Sequence, residues 1–159
     1  MTNLIAAAEM RQLLEVHIAD QTFGIPLLLI REVLGPRKVN LLPLAPPAVG
    51  GALNLRGRVV TSIETHACLG LPRPSDGSPT MSVIVAHQAE LYSLTIDTVG
   101  EVLNDARFEP NPPTLDPRWR EFAAGIVRLD GRLTVVLDVE RFLDAACSPA
   151  GPQRRLSAA

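Results

Sequence analysis

The residues of this 159-residue chain that could do chemistry are thinly spread. His17, His66 and His87 stand in unrelated segments, and none forms the i, i+2 or i, i+4 pair through which a strand or helix presents two metal ligands. Ser62, Ser75 and Ser93 have no Gly-x-Ser-x-Gly elbow around them. Gly50 to Arg58 contains glycine and basic residues but lacks the Gly-Lys-Ser/Thr ending of a phosphate-cradling loop. Cys68 and Cys147 lie far apart without metal-like spacing and read as ordinary buried or half-buried thiols, not as a disulfide framework. What remains is Arg56, set between two apolar runs in GALNLRGRVVTSIE (Gly51 to Glu64). An Arg among strand residues is costly to desolvate unless a carboxylate meets it in a bidentate pair, and Glu32 is the candidate partner. That chemistry is recognition. Nothing assembles a nucleophile, a base and an oxyanion site, so no enzymatic activity, catalytic residue, metal or cofactor is expected.

Composition points the same way. With 47% hydrophobic residues the chain can bury a core without staples. A net charge of −2 and 4% aromatic residues give little purchase for nucleic acid. The N-terminal MTNLIAAAEMRQLLEV has no basic region ahead of its apolar patch and is broken by Glu9 and Arg11, so it does not read as a signal peptide. Apolar runs fall short of the roughly 18 residues a membrane span requires. A cytoplasmic location is expected.

The elements that must position Arg56 and Glu32 are short. Leu13 to Ala19 contains an alternating half with Glu15 and His17 on the wet side, as in a half-buried strand. Asp20-Gln21-Thr22 turns it, and Phe23-Gly24-Ile25 returns. Pro26 suits the start of a short helix through LLLIREV, ended by Gly35-Pro36. Val39 to Leu42 reads as a strand, followed by the broken connection PLAPPAVGG. Strands 52–55 and 58–64 form a hairpin with Arg56-Gly57 as its tight turn, and His66 to Leu71 reads as a helical turn. Pro72 to Pro79 is a surface loop. Met81 to Ala86 and Leu91 to Ile96 read as strands, and Val139 to Ala146 as an amphipathic helix.

The second half repeats the first. GIVRLDGRLTVVLD (Gly125 to Asp138) lies beneath GALNLRGRVVTSIE without a gap at an offset of 74, with Gly131 under Gly57 and Arg132 under Arg58. An offset of 69 places Tyr92-Ser93-Leu94 under Phe23-Gly24-Ile25 and Glu101-Val102-Leu103 under Glu32-Val33-Leu34. Glu64 and Asp138 are equivalent in this scheme, as a paired-carboxylate site or, more in keeping with a repeat, as acids that cap equivalent turns. Short strands, Gly and Pro at the turns and an internal repeat predict a mainly β fold of two small β-barrels side by side, with short helices and a C-terminal helix.

Three blocks, in order, resemble the CheW-like domain family. LPLAPPAVGGALNLRGRVV (Leu42 to Val60) carries Leu-Pro, a second proline, Val-x-Gly and Asn-Leu-Arg-Gly. FGIPLLLIREV (Phe23 to Val33) is similar to the family's aromatic-Gly-Ile segment and short helix ending in Glu. AAGIVRLDGRLTVVLDVERFL (Ala123 to Leu143) is similar to its closing hairpin, strand and helix. The resemblance covers residues 12–146 as one domain and implies that its two barrels are SH3-like β-barrels packed side by side, with 1–11 as a tail or short helix and 147–159 as a flexible tail; no receiver domain is expected after it. It implies a non-catalytic coupling adaptor of chemosensory arrays, binding the regulatory domain of a CheA-type histidine kinase and the cytoplasmic tip of chemoreceptors, recruited to membrane-associated arrays without inserting into the membrane. It implies that Glu32 and Arg56 pair at the receptor-coupling surface beside Ile30 and Val33, while Asn54 and Gly57 shape the turn. Where the family runs on to a Pro, an apolar pair and Asp-Leu-Arg, this chain has Thr61-Ser62-Ile63-Glu64-Thr65-His66. That departure leaves room for a specialised or decoy member binding the kinase but not receptors; a double-barrel ligand-binding module outside chemotaxis is the other alternative.

Overall fold

A computed structural model of the chain describes residues 12–36, 49–72, 80–104, 107–129 and 131–147. In chain order the elements are β1 (Leu13–Ile18), β2 (Gln21–Pro26), a 3-10 turn (Leu27–Leu29), β3 (Ile30–Leu34), β4 (Val49–Leu55), β5 (Arg58–Ile63), α1 (Thr65–Leu69), β6 (Met81–His87), β7 (Glu90–Ile96), β8 (Thr98–Leu103), α2 (Pro117–Arg120), β9 (Ala123–Leu129), β10 (Arg132–Leu137) and α3 (Val139–Ala146). They build two five-stranded sheets, ordered β8-β1-β2-β10-β9 and β3-β6-β7-β5-β4. The fold is mainly β, and the arrangement is consistent with two packed SH3-like barrels. The expected strand at Val39–Leu42, the 1–11 tail, the tail from Ser148 and all but the first residue of the Pro72–Pro79 loop lie outside the described residues.

The repeat is real in three dimensions, but it does not divide the chain as the sequence suggested. Each strand from β1 to β5 has its counterpart five strands later, and the two sheet orders superpose strand for strand under that relation. The halves nevertheless exchange strands. β3 leaves the first half to pair antiparallel with β6, and β8 leaves the second to pair with β1. One barrel thus holds β1 and β2 with β8, β9 and β10, while the other holds β3, β4 and β5 with β6 and β7. The link from β2 to β3 and the link from β7 to β8 both cross between barrels, so neither half can close alone.

Alternation along the strands splits the apolar residues into three cores. Leu34, Leu53, Leu55, Val60 and Ile84 fill one barrel, and Leu13, Leu103, Val127 and Val136 fill the other. The larger third cluster, including Val16, Phe23, Ile25, Ile63, Val83, Leu94, Phe122 and Phe142, draws on both sheets and on all three helices. Phe122 and Phe142 meet edge to face at 5.3 Å within it. α3 contributes Val139, Phe142, Leu143, Ala145 and Ala146, the buried stripe of an amphipathic helix, and Asp138 caps its start by accepting the Arg141 N–H at 3.2 Å. Its repeat equivalent, Glu64, precedes α1 but makes no side-chain cap there; its carboxylate lies over Gly50 instead.

Two local expectations are corrected. Residues 27–33 do not make a helix of one or two turns: the chain takes a single 3-10 turn and is extended from Ile30. The run LLLIREV has no clear period, and the open edge of β6 offers β3 a ladder of hydrogen bonds that outweighs helix propensity. Glu15 was expected on a wet face, but it is 5% exposed. β8 runs over it with a register irregularity between Leu14 and Val16, and Gly100 leaves room for the carboxylate, since a Cβ there would lie 2.6 Å from Glu15 Oε1.

Polar contacts fasten the junction of the barrels. Trp119, at the end of the proline-rich connection, donates its indole N–H to the Leu69 carbonyl at 2.9 Å and meets Phe23 edge-on at 5.2 Å. Arg118 Nη1 donates to the Gly70 carbonyl at 3.3 Å, placing a cation at the C-terminal end of α1. Asp97, in the β7–β8 crossing, accepts the Ala19 N–H at 2.7 Å and lies 2.9 Å from Nε2 of buried His66.

Candidate functional site

The β4–β5 hairpin is closed by the two-residue turn Arg56-Gly57, since Leu55 and Arg58 are register partners. Both turn residues have positive φ, 51° at Arg56 and 82° at Gly57, the left-handed pair that a type I′ hairpin requires. Glycine takes this at no steric cost; arginine does not. Asn54 offsets part of the cost by accepting the Gly57 N–H at 2.8 Å, so the strand end and the turn are tied together.

This turn carries the Arg56 side chain to the opposite edge of its barrel. β3 and β4 are the two end strands of the sheet β3-β6-β7-β5-β4, and the guanidinium spans from the β4–β5 tip to Glu32 on β3. Nη1 stands 2.7 Å from Oε1 and Nη2 donates to Oε2 at 2.8 Å, a two-pronged pair. Hydrogen bonding to Glu32, reinforced by its charge, raises the Arg56 pKa further above its ordinary value. The Arg56 side chain is 72% exposed and that of Glu32 26%. A pair so open to water adds little to stability. What it does is hold a guanidinium and a carboxylate in one fixed orientation at the surface.

Of the four residues the sequence assigned to a partner surface, the structure brings Glu32 and Arg56 into contact. Val33 follows Glu32 on β3 and points outward, 38% exposed. Ile30 lies across a register irregularity from Glu32 and packs partly buried against the central core. Sequence reasoning missed Val59, 74% exposed on β5, and Leu28, 60% exposed on the 3-10 turn. The signal for Val59 was present in the alternation of β5, which buries Val60 and Ser62 and turns Val59 outward. The repeat carries the feature over: Val102 and Leu133, equivalents of Val33 and Val59, are exposed on the other barrel. The ion pair is not carried over in sequence, because the position under Arg56 is Asp130.

No group of three or more His, Cys, Asp or Glu side chains suited to a metal occurs among the described residues. Cys68 is buried, and burial pushes its thiol pKa up to about 12; Cys147 is exposed, contrary to the expectation of a half-buried thiol. Among the described residues no helix is long and apolar enough to cross a membrane.

The fold and site define a module of two interlocked barrels that holds an ion pair at its surface. The chain belongs to the CheW-like domain family, whose model matches residues 12–147. It is 30% identical over 143 residues to the probable chemotaxis protein CheW of Rhizobium etli, covering 88% of this chain and 92% of that protein. It is 29% identical over 137 residues to the chemotaxis protein CheW of Helicobacter pylori, covering 85% and 82%. The crystal structure of the scaffolding protein TtCheW from Thermoanaerobacter tengcongensis shares the fold, with a TM-score of 0.70 at 23% identity over 80% of this chain and 88% of that one.

Proposed function

We propose that this protein is a non-catalytic chemotaxis adaptor that couples chemoreceptors to a CheA-type histidine kinase by binding the receptor tip and the kinase's regulatory domain. The observation that supports this reading best is the Glu32–Arg56 pair, held in a strained turn and left open to solvent. Stability does not require such a pair, and a charge held in fixed orientation suits recognition. In this reading the receptor tip lies against Glu32, Arg56 and Val33, with Ile30 supporting them from the core side. The kinase domain takes a separate apolar face, for which Val102 and Leu133 on the other barrel are available. The protein acts in the cytoplasm at membrane-associated arrays, where multivalence lets moderate affinities suffice.

The departure at 61–66 bears on the choice between a coupling adaptor and a decoy. Ser62, Ile63, Thr65 and His66 are buried. Four of the six altered positions therefore lie in the interior, Thr61 and Glu64 being partly exposed, and the Glu32–Arg56 pair is formed all the same, which favours the coupling reading. The test is Arg56→Glu, which sets two carboxylates against each other at the surface. The folded variant should lose receptor-tip binding by at least about tenfold while its melting temperature stays near that of the wild type. Unchanged receptor affinity in the folded variant would overturn the assignment of this surface.

A further inference from the structure

The two barrels differ in one respect that the functional reading does not use. At one end of the β3–β7 barrel, four hydroxyl residues are buried: Ser62 at 1% exposure, Ser82 at 7%, Ser93 at 0% and Thr95 at 6%. The registers place them together. Ser62 is the partner of Ser93 across the parallel β5–β7 pair, and Ser82 is the partner of Thr95 across β6–β7. They share the strand faces of Val60, Ile84 and Leu91, which line that barrel's core. In the other barrel the same registers hold Val136 against Gly24 and Leu13 against Pro26, with no hydroxyl among them.

Thr95 is satisfied, donating to the Ile63 carbonyl at 3.2 Å and accepting the Thr65 N–H at 3.1 Å. The hydroxyls of Ser62 and Ser93 have no hydrogen-bond partner among the described residues. A buried hydroxyl without a hydrogen bond loses its bonds to water and gains none in return, so two side by side in one small core would be a costly defect. Leu13, Val136 and Gly24 of the other barrel become Ser82, Ser62 and Ser93 here, so the summed side-chain volume is smaller even though Ser93 adds a side chain where the repeat has none. Beside Gly24, the volume a side chain would take is filled by Leu13 and buried Thr134, whose Cδ1 and Cγ2 would lie 3.2 and 3.4 Å from a Cβ there. Ser82, standing where Leu13 stands, lacks that branched end, and Ser62 lacks one of the two methyls of Val136.

We infer that this end of the β3–β7 barrel is a built hydration site, in which at least one internal water bridges Ser62 Oγ and Ser93 Oγ. The site is polar and can supply the two or more hydrogen bonds that an internal water needs. Ser62 thereby gains a role within the stretch that departs from the family pattern: it replaces apolar packing with a bound solvent molecule.

Oxygen-17 magnetic relaxation dispersion on the full chain, with labelled water as the probe, counts long-lived internal waters directly. Ser62→Val, the residue the other barrel uses, should fold and lose an amplitude equivalent to at least one long-lived water. Ser93→Ala should show the same loss, and it carries the test if Ser62→Val fails to fold. An amplitude identical to wild type in either folded variant overturns the inference. So does a crystal structure showing Ser62 Oγ and Ser93 Oγ hydrogen-bonded to each other with no water between them.

Discussion

Replacing Trp119 with Phe tests how the two barrels are held together. The substitution keeps an aromatic ring able to meet Phe23 but removes the indole N–H that satisfies the Leu69 carbonyl at 2.9 Å. That carbonyl belongs to the last residue of α1, in the other barrel, and the bond is buried. Leaving the acceptor unsatisfied costs about 1–3 kcal/mol. The missing part of the indole, in a side chain only 9% exposed, gives up roughly 1 kcal/mol more of apolar burial. A total of about 3 kcal/mol corresponds to a melting temperature lower by roughly 6–12 °C for a domain of this size. Circular dichroism should measure it, because Trp119 is the single tryptophan and the variant has no indole fluorescence. In the wild type the same fact makes tryptophan emission a reporter of this junction. A loss below about 2 °C would refute the reasoning that the 115–122 segment welds the barrels.

Further outcomes follow from the charged and titratable groups. The single tyrosine, Tyr92, donates to Glu90 Oε2 at 3.0 Å, and burial first, then that bond, pushes its pKa up to about 12. An ultraviolet titration of the folded protein should therefore reach its midpoint near pH 12 in place of about 10. The sign is that of a raised pKa: the stability it supplies is complete below about pH 10 and is lost as pH rises through the folded value. Asp116 is held below its usual range, chiefly by the hydrogen bond from the Arg118 side chain, and it also caps α2 by accepting the Arg118 N–H. Asp116→Asn keeps the cap but loses the charge, so it should cost less than about 1 kcal/mol at neutral pH, the pair being partly exposed. Because the folded pKa is depressed, that difference should fade as pH falls below about 4 and vanish once the carboxyl is protonated in both states. Urea denaturation across that range is the check. A thiol reagent should modify exposed Cys147 in the folded protein and reach buried Cys68 only on unfolding; immediate reaction of both would contradict the packing of α1.

Much of the fold was legible because its signals are local. Positive φ at Arg56 and Gly57 follows from a two-residue hairpin, and the alternation of β5 and the capped stripe of α3 are written in adjacent residues. The Glu32–Arg56 contact was legible for a different reason, that a charge among strand residues needs a counter-charge. The exchange of β3 and β8 between halves was not legible. Periodicity tells which face of a strand is buried and says nothing of which strand lies beside it. The same gap explains β3, whose apolar run takes its conformation from β6, more than 45 residues away in sequence (Leu34 pairs with Ser82). Glu15, Trp119 and the His66–Asp97 contact were missed for that reason too, since each depends on a neighbour that only the crossing of the chain supplies.

The most direct test of the adaptor reading is a pair of calorimetric titrations, of wild type and of Arg56→Glu, against the isolated regulatory domain of a CheA-type kinase and a soluble receptor-tip fragment from the same organism. The reading predicts saturable binding of wild type to both, roughly micromolar, with the variant losing the receptor fragment and keeping the kinase domain. Absence of wild-type binding to either partner would contradict it and leave a double barrel whose ion pair serves some other protein.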